Sequence, residues 1–179
     1  MPEYTRDALQ KEYAAGRWHD LTNAERVILS RLRDHDAVPS FEGAADVYGG
    51  YGARLHAAAR EASSYRELLS RAKSKHYTDA RIRRMILSCV LGCGPDDMRA
   101  APRYTVLLAA SRTGISLLHE AKYAADFSVL TKPSGREMLP VGARTQYDLA
   151  ARCDRFYAMT AKSILPDGDM LTKTPFIAG

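Results

Sequence analysis

The stretch TDARIRRMILSCVLGCG, residues 78–94, has the clearest helical pattern in this sequence. Its apolar side chains recur at intervals of three and four residues, which places them on one face of an α-helix. They are Ile82, Met85, Ile86, Cys89 and Val90. Thr78 is suited to capping the start of the helix, and Gly92 is suited to ending it. We therefore predict a helix that is buried along one side, with Arg81 and Arg84 together on the solvent side.

Helices are also predicted through the rest of the first half. Segments 6–15, 22–33 and 51–61 are compatible with helix, and another helix starts at Ser64. Two of these helices begin with a capping box. In this motif a Ser or Thr side chain and a Glu three residues later each bind a backbone N–H of the first turn. The two boxes are Thr22–Glu25 and Ser64–Glu67.

The second half of the chain has a different pattern. Residues 103–110 are interpreted as a strand or a buried helix, because an apolar run this short is compatible with both. A helix over 115–123 follows, then a second strand over 127–131 and a helix over 145–159. The order strand, helix, strand favours parallel pairing of the two strands.

The predicted fold class is mainly α, an α+β fold in which a helical domain carries a small C-terminal β element. Residues 1–95 would form the helical domain with the basic helix, and residues 96–179 a small α+β subdomain packed on it. One continuous domain is the alternative. A length of 179 residues and an ordinary globular composition are compatible with both arrangements.

Localisation is predicted from what the sequence lacks. The first residues have no apolar core of a signal peptide, and no apolar run approaches the roughly 20 residues that cross a bilayer. Three cysteines, an odd number, fit a protein with reduced thiols. We expect a cytoplasmic protein without membrane contact. No metal site is predicted, because Cys89 and Cys93 have no further ligands nearby.

Positive charge is concentrated in residues 65–84. This segment has seven basic and two acidic residues, and its excess of five equals the formal net charge of the whole chain, +5. The rest of the chain has 19 basic and 19 acidic residues. A localised excess on an otherwise balanced protein indicates a polyanionic partner, and RNA is the first candidate.

Four cations of this segment are candidates for contacts with RNA phosphates. Lys73 and Lys75 lie in the loop before the patterned helix, and Arg81 and Arg84 lie on it. Phosphate contacts hold and position RNA without reading its sequence. The alternative is a charged helix face that contacts only solvent. No catalytic residue is predicted, because no converging set of titratable groups is recognisable.

Three further residues are candidates for the RNA site. His76 and Tyr77 have the ring systems that stack on unpaired bases, although a tyrosine beside a helix start also packs against the core. Lys132 follows the second predicted strand, where it would either contact RNA or protect the edge of a sheet.

Four segments resemble, in order and spacing, sequences of one bacterial family. They are residues 46–50, 63–69, 73–78 and 81–84. The family is the HIGH-motif nucleotidyltransferase-like proteins known as tRNA(Met) cytidine acetate ligases, and the chain resembles their C-terminal half over nearly its whole length. The most specific part is the block of lysine, tyrosine, threonine and arginine, which adds Thr78 to the predicted RNA-binding residues. The chain departs from the family at residues 49–52, Gly-Gly-Tyr-Gly, where Glu-Gly-Leu-Glu is usual.

The resemblance implies modification of the wobble cytidine of elongator tRNA(Met). Members of the family activate acetate with ATP and transfer the acetyl group to N4 of that base, with an N-terminal domain that bears a His-x-Gly-His motif. None of the five histidines of this chain lies in such a motif: they are His19, His35, His56, His76 and His119. We therefore expect a tRNA-binding C-terminal domain that is not catalytic alone and holds no cofactor. Its partners would be tRNA and the nucleotidyltransferase domain that uses ATP and acetate.

Two other functions are compatible with the sequence. The chain could be an assembly module whose arginines pair with acidic residues of the nucleotidyltransferase domain, without binding RNA. The salt dependence of RNA binding distinguishes this function from the first. The chain could also be an independent enzyme, which would require a set of catalytic groups that the sequence does not reveal.

Overall fold

A computed structural model describes residues 2–124, 128–166, 168 and 173–178 of the chain. Most of these residues are helical, and short parallel strands occur only in the second half of the described part. The predicted fold class, mainly α with a small C-terminal β element, is confirmed.

The chain divides into two compact units. The first comprises Met1–Arg99 and Phe156–Pro166, and the second comprises Ala100–Arg155 and Asp167–Gly179. The first unit is helical. Its elements before residue 100 are α1 Glu3–Ala14, α2 Glu25–Arg33, α3 Val38–Glu42, α4 Tyr51–Glu61, α5 Tyr65–Ala72, α6 Asp79–Leu91 and α7 Pro95–Arg99.

One apolar core holds α2 to α6 together. Helix α2 packs against α4 and α6, and α3 packs against α4. The largest side chains that are fully buried are Phe41, Ile28, Leu32, Leu55, Leu68, Ile82, Met85 and Ile86. Removal of this apolar surface from water is the main force that stabilises the unit.

Helix α6 forms as the sequence predicts. Ile82, Met85, Ile86 and Cys89 are buried, and Val90 packs against the same core. The Thr78 hydroxyl accepts a hydrogen bond from the Arg81 N–H at 3.4 Å, and Gly92 ends the helix with a positive φ of 63°. Burial raises the pKa of the Cys89 thiol to about 12, so this cysteine packs as a small apolar residue.

The predicted capping box at Thr22 is wrong. A short 3₁₀ helix, Leu21–Ala24, precedes α2, and its cap is Asp20, whose carboxylate accepts the Thr22 N–H at 2.8 Å. Glu25 does not bind back to residue 22 but accepts the N–H of Tyr65 at 3.0 Å. This carboxylate therefore links the start of α2 to the start of α5.

Gly52 lies where α4 passes close to α3. A Cβ atom at this position would be 2.9 Å from the Cβ of Phe41 and 2.8 Å from Oε1 of Glu42. The Glu42 carboxylate fills the space and accepts the Ala53 N–H, a free donor in the first turn of α4, at 3.0 Å. A side chain at position 52, where the family usually has Glu, would therefore collide with Phe41 and Glu42, and this explains why the residue is glycine.

The start of α5 is fixed by Ser64 and Glu67. The Ser64 hydroxyl accepts the Glu67 N–H at 3.2 Å, as the second capping box predicts. The Glu67 carboxylate, however, binds the N–H and the hydroxyl of Ser63, at 2.8 and 2.7 Å, and also Arg71. The hydrogen bonds from Ser63, followed by the hydrogen bond and the charge of Arg71, lower the pKa of Glu67 to about 2.

We expect Glu67→Gln to lower the thermal midpoint at pH 7, by an amount that shrinks as the pH falls from about 4.5 to about 2. The pKa of this carboxyl is lower in the folded chain than its ordinary value of 4.5. Its stabilising contribution is therefore complete above that value and is lost as the pH falls through 2. Thermal unfolding of both proteins between pH 7 and pH 2 checks this. A difference that stays constant over the range would contradict it.

The second unit contains two pairs of short parallel strands. Its elements are β1 Tyr104–Val106, β2 Ala109–Ser111, α8 Arg112–Ala124, β3 Ser128–Leu130, β4 Phe176–Ala178 and the part of α9 Val141–Met159 that ends at Arg155. Strand β1 pairs with β3, with Tyr104 opposite Ser128, and β2 pairs with β4, with Ala109 opposite Phe176. A small core contains Leu130, Leu139, Ala143, Tyr147 and Ala151.

The parallel pairing predicted from the strand, helix, strand order is present in this unit. The single element predicted over 103–110 is instead two strands separated by Leu107 and Leu108, and each strand pairs with a different partner. The second predicted strand is observed over Ser128–Leu130, and residue 127 lies outside the described residues. Within the part of the chain that the structure describes, no helix is both long and apolar enough to cross a membrane.

Candidate nucleic-acid interface

The basic segment of the sequence comprises α5, a tight turn over residues 73–78 and the start of α6, all in the first unit. The Tyr51 hydroxyl donates to the carbonyl of Ala72 at the end of α5, and Arg54 Nη2 donates to the carbonyl of Lys73 at 2.5 Å. The Ser74 hydroxyl accepts the His76 N–H at 3.1 Å. Because α4 fixes the base of the turn in this way, Lys75 and His76 project from it as exposed side chains.

Four of the seven cations in residues 65–84 contact other side chains. Arg71 binds Glu61 and Glu67 at 2.6 and 2.8 Å. Lys73 lies 3.5 Å from Asp79. These two cations are therefore partly neutralised, although each remains exposed to solvent.

Arg84 pairs with a residue that is distant in sequence. Its Nε lies 2.9 Å from the Asp46 carboxylate. Asp46 has a positive φ of 66°, a conformation that Asp tolerates better than most residues. The ion pair connects α6 to the loop that precedes α4.

Arg81 was predicted to lie with Arg84 on the solvent face of the helix. It is instead half-buried. Its guanidinium carbon lies 4.8 Å from the ring centre of Tyr77 and 5.7 Å from that of Tyr48. Its Nε is buried without a hydrogen-bond partner. Position 81 is at the border of the apolar stripe, which turns the side chain towards the aromatic rings and away from solvent.

Tyr77 packs against the core of the first unit. Its ring meets that of Tyr51 edge-on, with the centres 5.0 Å apart and the planes at 85°. Core packing, the alternative considered for this tyrosine, thus accounts for its position. Thr78 acts as the helix cap, and His76 is exposed at the tip of the turn.

Of the seven cations in residues 65–84, three are exposed and make no ion pair within the described residues. They are Arg66 on α5, Lys75 in the turn and Arg83 on α6. We call them the open cations. Two of them, Arg66 and Arg83, line a groove of about 550 Å³ between α5, α6 and the 3₁₀ helix, together with Lys73.

The groove also contains two carboxylates, Asp20 and Asp79. Hydrogen bonds from Thr22 lower the pKa of Asp20, with smaller contributions from the charges of Arg66 and Arg83. The Tyr65 hydroxyl is buried and has no hydrogen-bond partner, and burial raises its pKa to about 12. Cations outnumber acids in the groove, so its net charge favours an anionic ligand.

Lys132 belongs to the second unit, whereas the other predicted RNA-binding residues belong to the first. It is exposed, precedes the 3₁₀ helix Pro133–Met138, and lines a mainly apolar cleft of about 680 Å³. Its contact with RNA stays a prediction, as do the contacts of Lys73, Lys75, His76, Tyr77, Thr78, Arg81 and Arg84.

Four residues of the site are not among those predicted from the sequence. Arg66 and Arg83 were part of the charge count, but nothing local shows that they lack acidic partners. Arg54 and Tyr48 lie outside the basic segment, so their roles depend on the tertiary fold. The resemblance at residues 46–50 is the only signal in the sequence that points to Tyr48.

Comparisons with known proteins identify a family. The model of the family described as HIGH Nucleotidyl Transferase matches residues 1–169. A tRNA(Met) cytidine acetate ligase of Thermotoga maritima is 28% identical over 180 residues, which cover 92% of this chain and 42% of the relative. A protein of the same name from Latilactobacillus sakei is 35% identical over 98 residues, which cover 53% of this chain and 24% of the relative.

Two crystal structures of Thermotoga maritima TmcAL are similar to this chain. Apo form I has a TM-score of 0.78 and 25% identity, and the match covers 99% of this chain and 45% of that one. Form II, bound with alpha-thio ATP, has a TM-score of 0.78 and 26% identity, with 99% and 47% covered. This chain spans less than half the length of these relatives.

The comparisons correct the functional prediction. We predicted a separate tRNA-binding C-terminal domain that lacks the nucleotidyltransferase region and docks on a nucleotidyltransferase domain. This prediction is wrong, because the nucleotidyltransferase family model matches residues 1–169 of this chain itself. The Thermotoga ligase also aligns with 92% of the chain. A separate N-terminal nucleotidyltransferase domain as partner loses its support, and so does an assembly module that docks on it. Since this family model matches most of the residues of the chain, the chain belongs to the HIGH nucleotidyltransferase family.

Proposed function

We propose that this protein acts in tRNA modification, as part of an enzyme of the tRNA(Met) cytidine acetate ligase type. Its family and its similarity to proteins of that name support the proposal. In this proposal tRNA is the macromolecular partner, and ATP and acetate are small-molecule substrates of the whole enzyme.

The open cations are the observation that carries the tRNA contact. Arg66, Lys75 and Arg83 are exposed, have no ion pair within the described residues, and come from one segment of a chain whose other charges balance. A cation that already has a carboxylate partner must give up that partner before it binds phosphate. Open cations do not carry this cost, so they are the side chains best prepared to hold an RNA backbone.

Phosphate binding has a characteristic dependence on salt. Each cation that neutralises a phosphate releases condensed counterions, so the logarithm of the binding constant falls linearly with the logarithm of the salt concentration. Removing one such contact reduces the slope by about one. A protein whose cations only face solvent would show no such change.

We expect Arg66→Ala, Lys75→Ala and Arg83→Ala each to weaken tRNA binding roughly five- to tenfold at 0.1 M salt, and each to reduce the salt slope by about one. The measurement is a titration of labelled tRNA at four or more salt concentrations.

Arg99→Ala is the matched control for these variants. Arg99 is an exposed arginine of the same unit, but it lies on α7, which follows the C-terminal end of α6, and it does not line the groove. This variant loses the same charge and should leave the slope unchanged. Equal effects of all four substitutions would show that total charge and not the open cations determines binding, which contradicts the proposed interface.

A further inference from the structure

We propose that the outer face of the Tyr48 ring stacks on an unpaired base of the bound RNA. This inference rests on the proposed function and adds a base contact to the phosphate contacts of the open cations. It concerns a residue outside the basic segment, in the loop between α3 and α4.

Tyr48 is the exposed end of a stack that begins in the core. Tyr51 is buried, and Tyr77 meets its ring edge-on. The guanidinium of Arg81 lies over Tyr77 and also over Tyr48, which is 53% exposed. Cation–π contacts of this kind are stabilised by attraction between the cation and the ring quadrupole. Arg81 therefore holds one face of the Tyr48 ring and leaves the rest of the ring to solvent.

The loop that carries Tyr48 is fixed on both sides. Val47 is buried in the core, and the Asp46 carboxylate is held by Arg84 at 2.9 Å. After Tyr48, Gly49 and Gly50 have positive φ values of 61° and 77°, and the Tyr48 carbonyl accepts the Tyr51 N–H at 3.2 Å. An aromatic ring that is held outwards by a constrained loop loses little conformational freedom when a ligand covers it.

An RNA base is the ligand whose chemistry fits this ring and its surroundings. Every base has a π-face, and stacking on an exposed aromatic ring tolerates any sequence. The guanidinium of Arg81, which lies over the ring, places a positive charge beside a stacked base and the phosphate that flanks it. Double-helical RNA keeps its bases paired and stacked internally, so the ring selects unpaired segments.

The experiment compares Tyr48→Ala and Tyr48→Phe with the unchanged chain, with tRNA and with a blunt RNA duplex of about 20 base pairs, each over a range of salt. We expect Tyr48→Ala to weaken tRNA binding roughly 5- to 100-fold at every salt concentration, without a change in slope. Tyr48→Phe keeps the ring face and should bind tRNA within about twofold of the unchanged chain. Duplex binding should be the same for all three proteins.

The outcomes separate this inference from the proposed function. If the unchanged chain shows a salt slope but Tyr48→Ala binds tRNA equally well, base stacking is refuted and the phosphate contacts stand. An equal loss on the duplex would also refute stacking, because the duplex offers no unpaired base. If the unchanged chain binds neither RNA, both proposals fall. Unfolding curves of the variants identify any loss that comes from misfolding. If Tyr48→Ala misfolds, Tyr48→Leu decides, because it keeps an apolar side chain of similar size but has no π-face: a loss of tRNA binding supports stacking, and unchanged binding refutes it.

Discussion

Replacing Phe41 by Ala is expected to lower the free energy of unfolding of the first unit by about 3–5 kcal/mol. Phe41 is fully buried, and its Cβ lies against Gly52 at the point where α3 meets α4. Its ring also lies under the guanidinium of Arg31, 5.7 Å from the ring centre. Helix α3 has only five residues, so its attachment depends on this one large side chain.

The unfolding of the first unit can be followed separately because the single tryptophan, Trp18, lies within it. Urea titrations with Trp18 fluorescence would give the midpoint and the slope for each variant. Tyr4→Ala on α1 is the matched control, since this ring is 77% exposed and its loss should change stability by less than about 0.5 kcal/mol. A change of less than about 1 kcal/mol for Phe41→Ala would contradict a packed core at this position.

Helix α6 was predictable because every determinant of the helix is local. The repeat from Ile82 to Cys89 fixes the buried face, Thr78 fixes the start and Gly92 fixes the end, all within one continuous segment. The other helices of the first half follow from the same kind of local signal. The strand between 103 and 110 was harder to predict, because β1 and β2 have three residues each and are defined by partners more than 20 residues away.

The caps and ion pairs were less predictable than the helices. The pattern Thr22–Glu25 satisfies the rule for a capping box. In the folded chain, however, the Thr22 N–H donates to the Asp20 carboxylate, and the Glu25 carboxylate accepts the Tyr65 N–H. Likewise, the charge count locates the basic segment but cannot show which cations are open. Arg84 is neutralised by Asp46, 38 positions earlier in the sequence.

The half-buried position of Arg81 has a similar cause. On a helical projection Arg81 and Arg84 are three residues apart and share a face, so the sequence alone suggests equivalent roles. The difference arises from Tyr48 and Tyr77, whose ring centres lie 5.7 and 4.8 Å from the guanidinium carbon of Arg81. The sequence therefore predicts the region of the candidate site, whereas the tertiary fold assigns the individual side chains.

Simultaneous replacement of the three open cations, Arg66, Lys75 and Arg83, by Ala is expected to weaken tRNA binding about 100- to 500-fold at 0.1 M salt. Each phosphate contact contributes roughly 0.7–0.9 to the salt slope, so the loss of three contacts changes the logarithm of the binding constant by about 2.1–2.7 at this concentration. The three contacts add in the salt slope because each would release counterions from a different phosphate, with one residue on α5, one in the turn and one on α6.

The decisive control for the triple variant is a second triple variant, Arg26→Ala, Arg60→Ala and Arg99→Ala. These arginines are exposed residues of the same unit and do not line the groove. Both proteins carry a formal net charge three units below that of the unchanged chain, so long-range attraction of tRNA is reduced to a similar extent. Only the loss of local phosphate contacts distinguishes them. A control variant that binds as weakly as the first would therefore show that total charge determines binding and would contradict the proposed interface, whereas near-normal binding by the control would assign the contact to α5, the turn and α6.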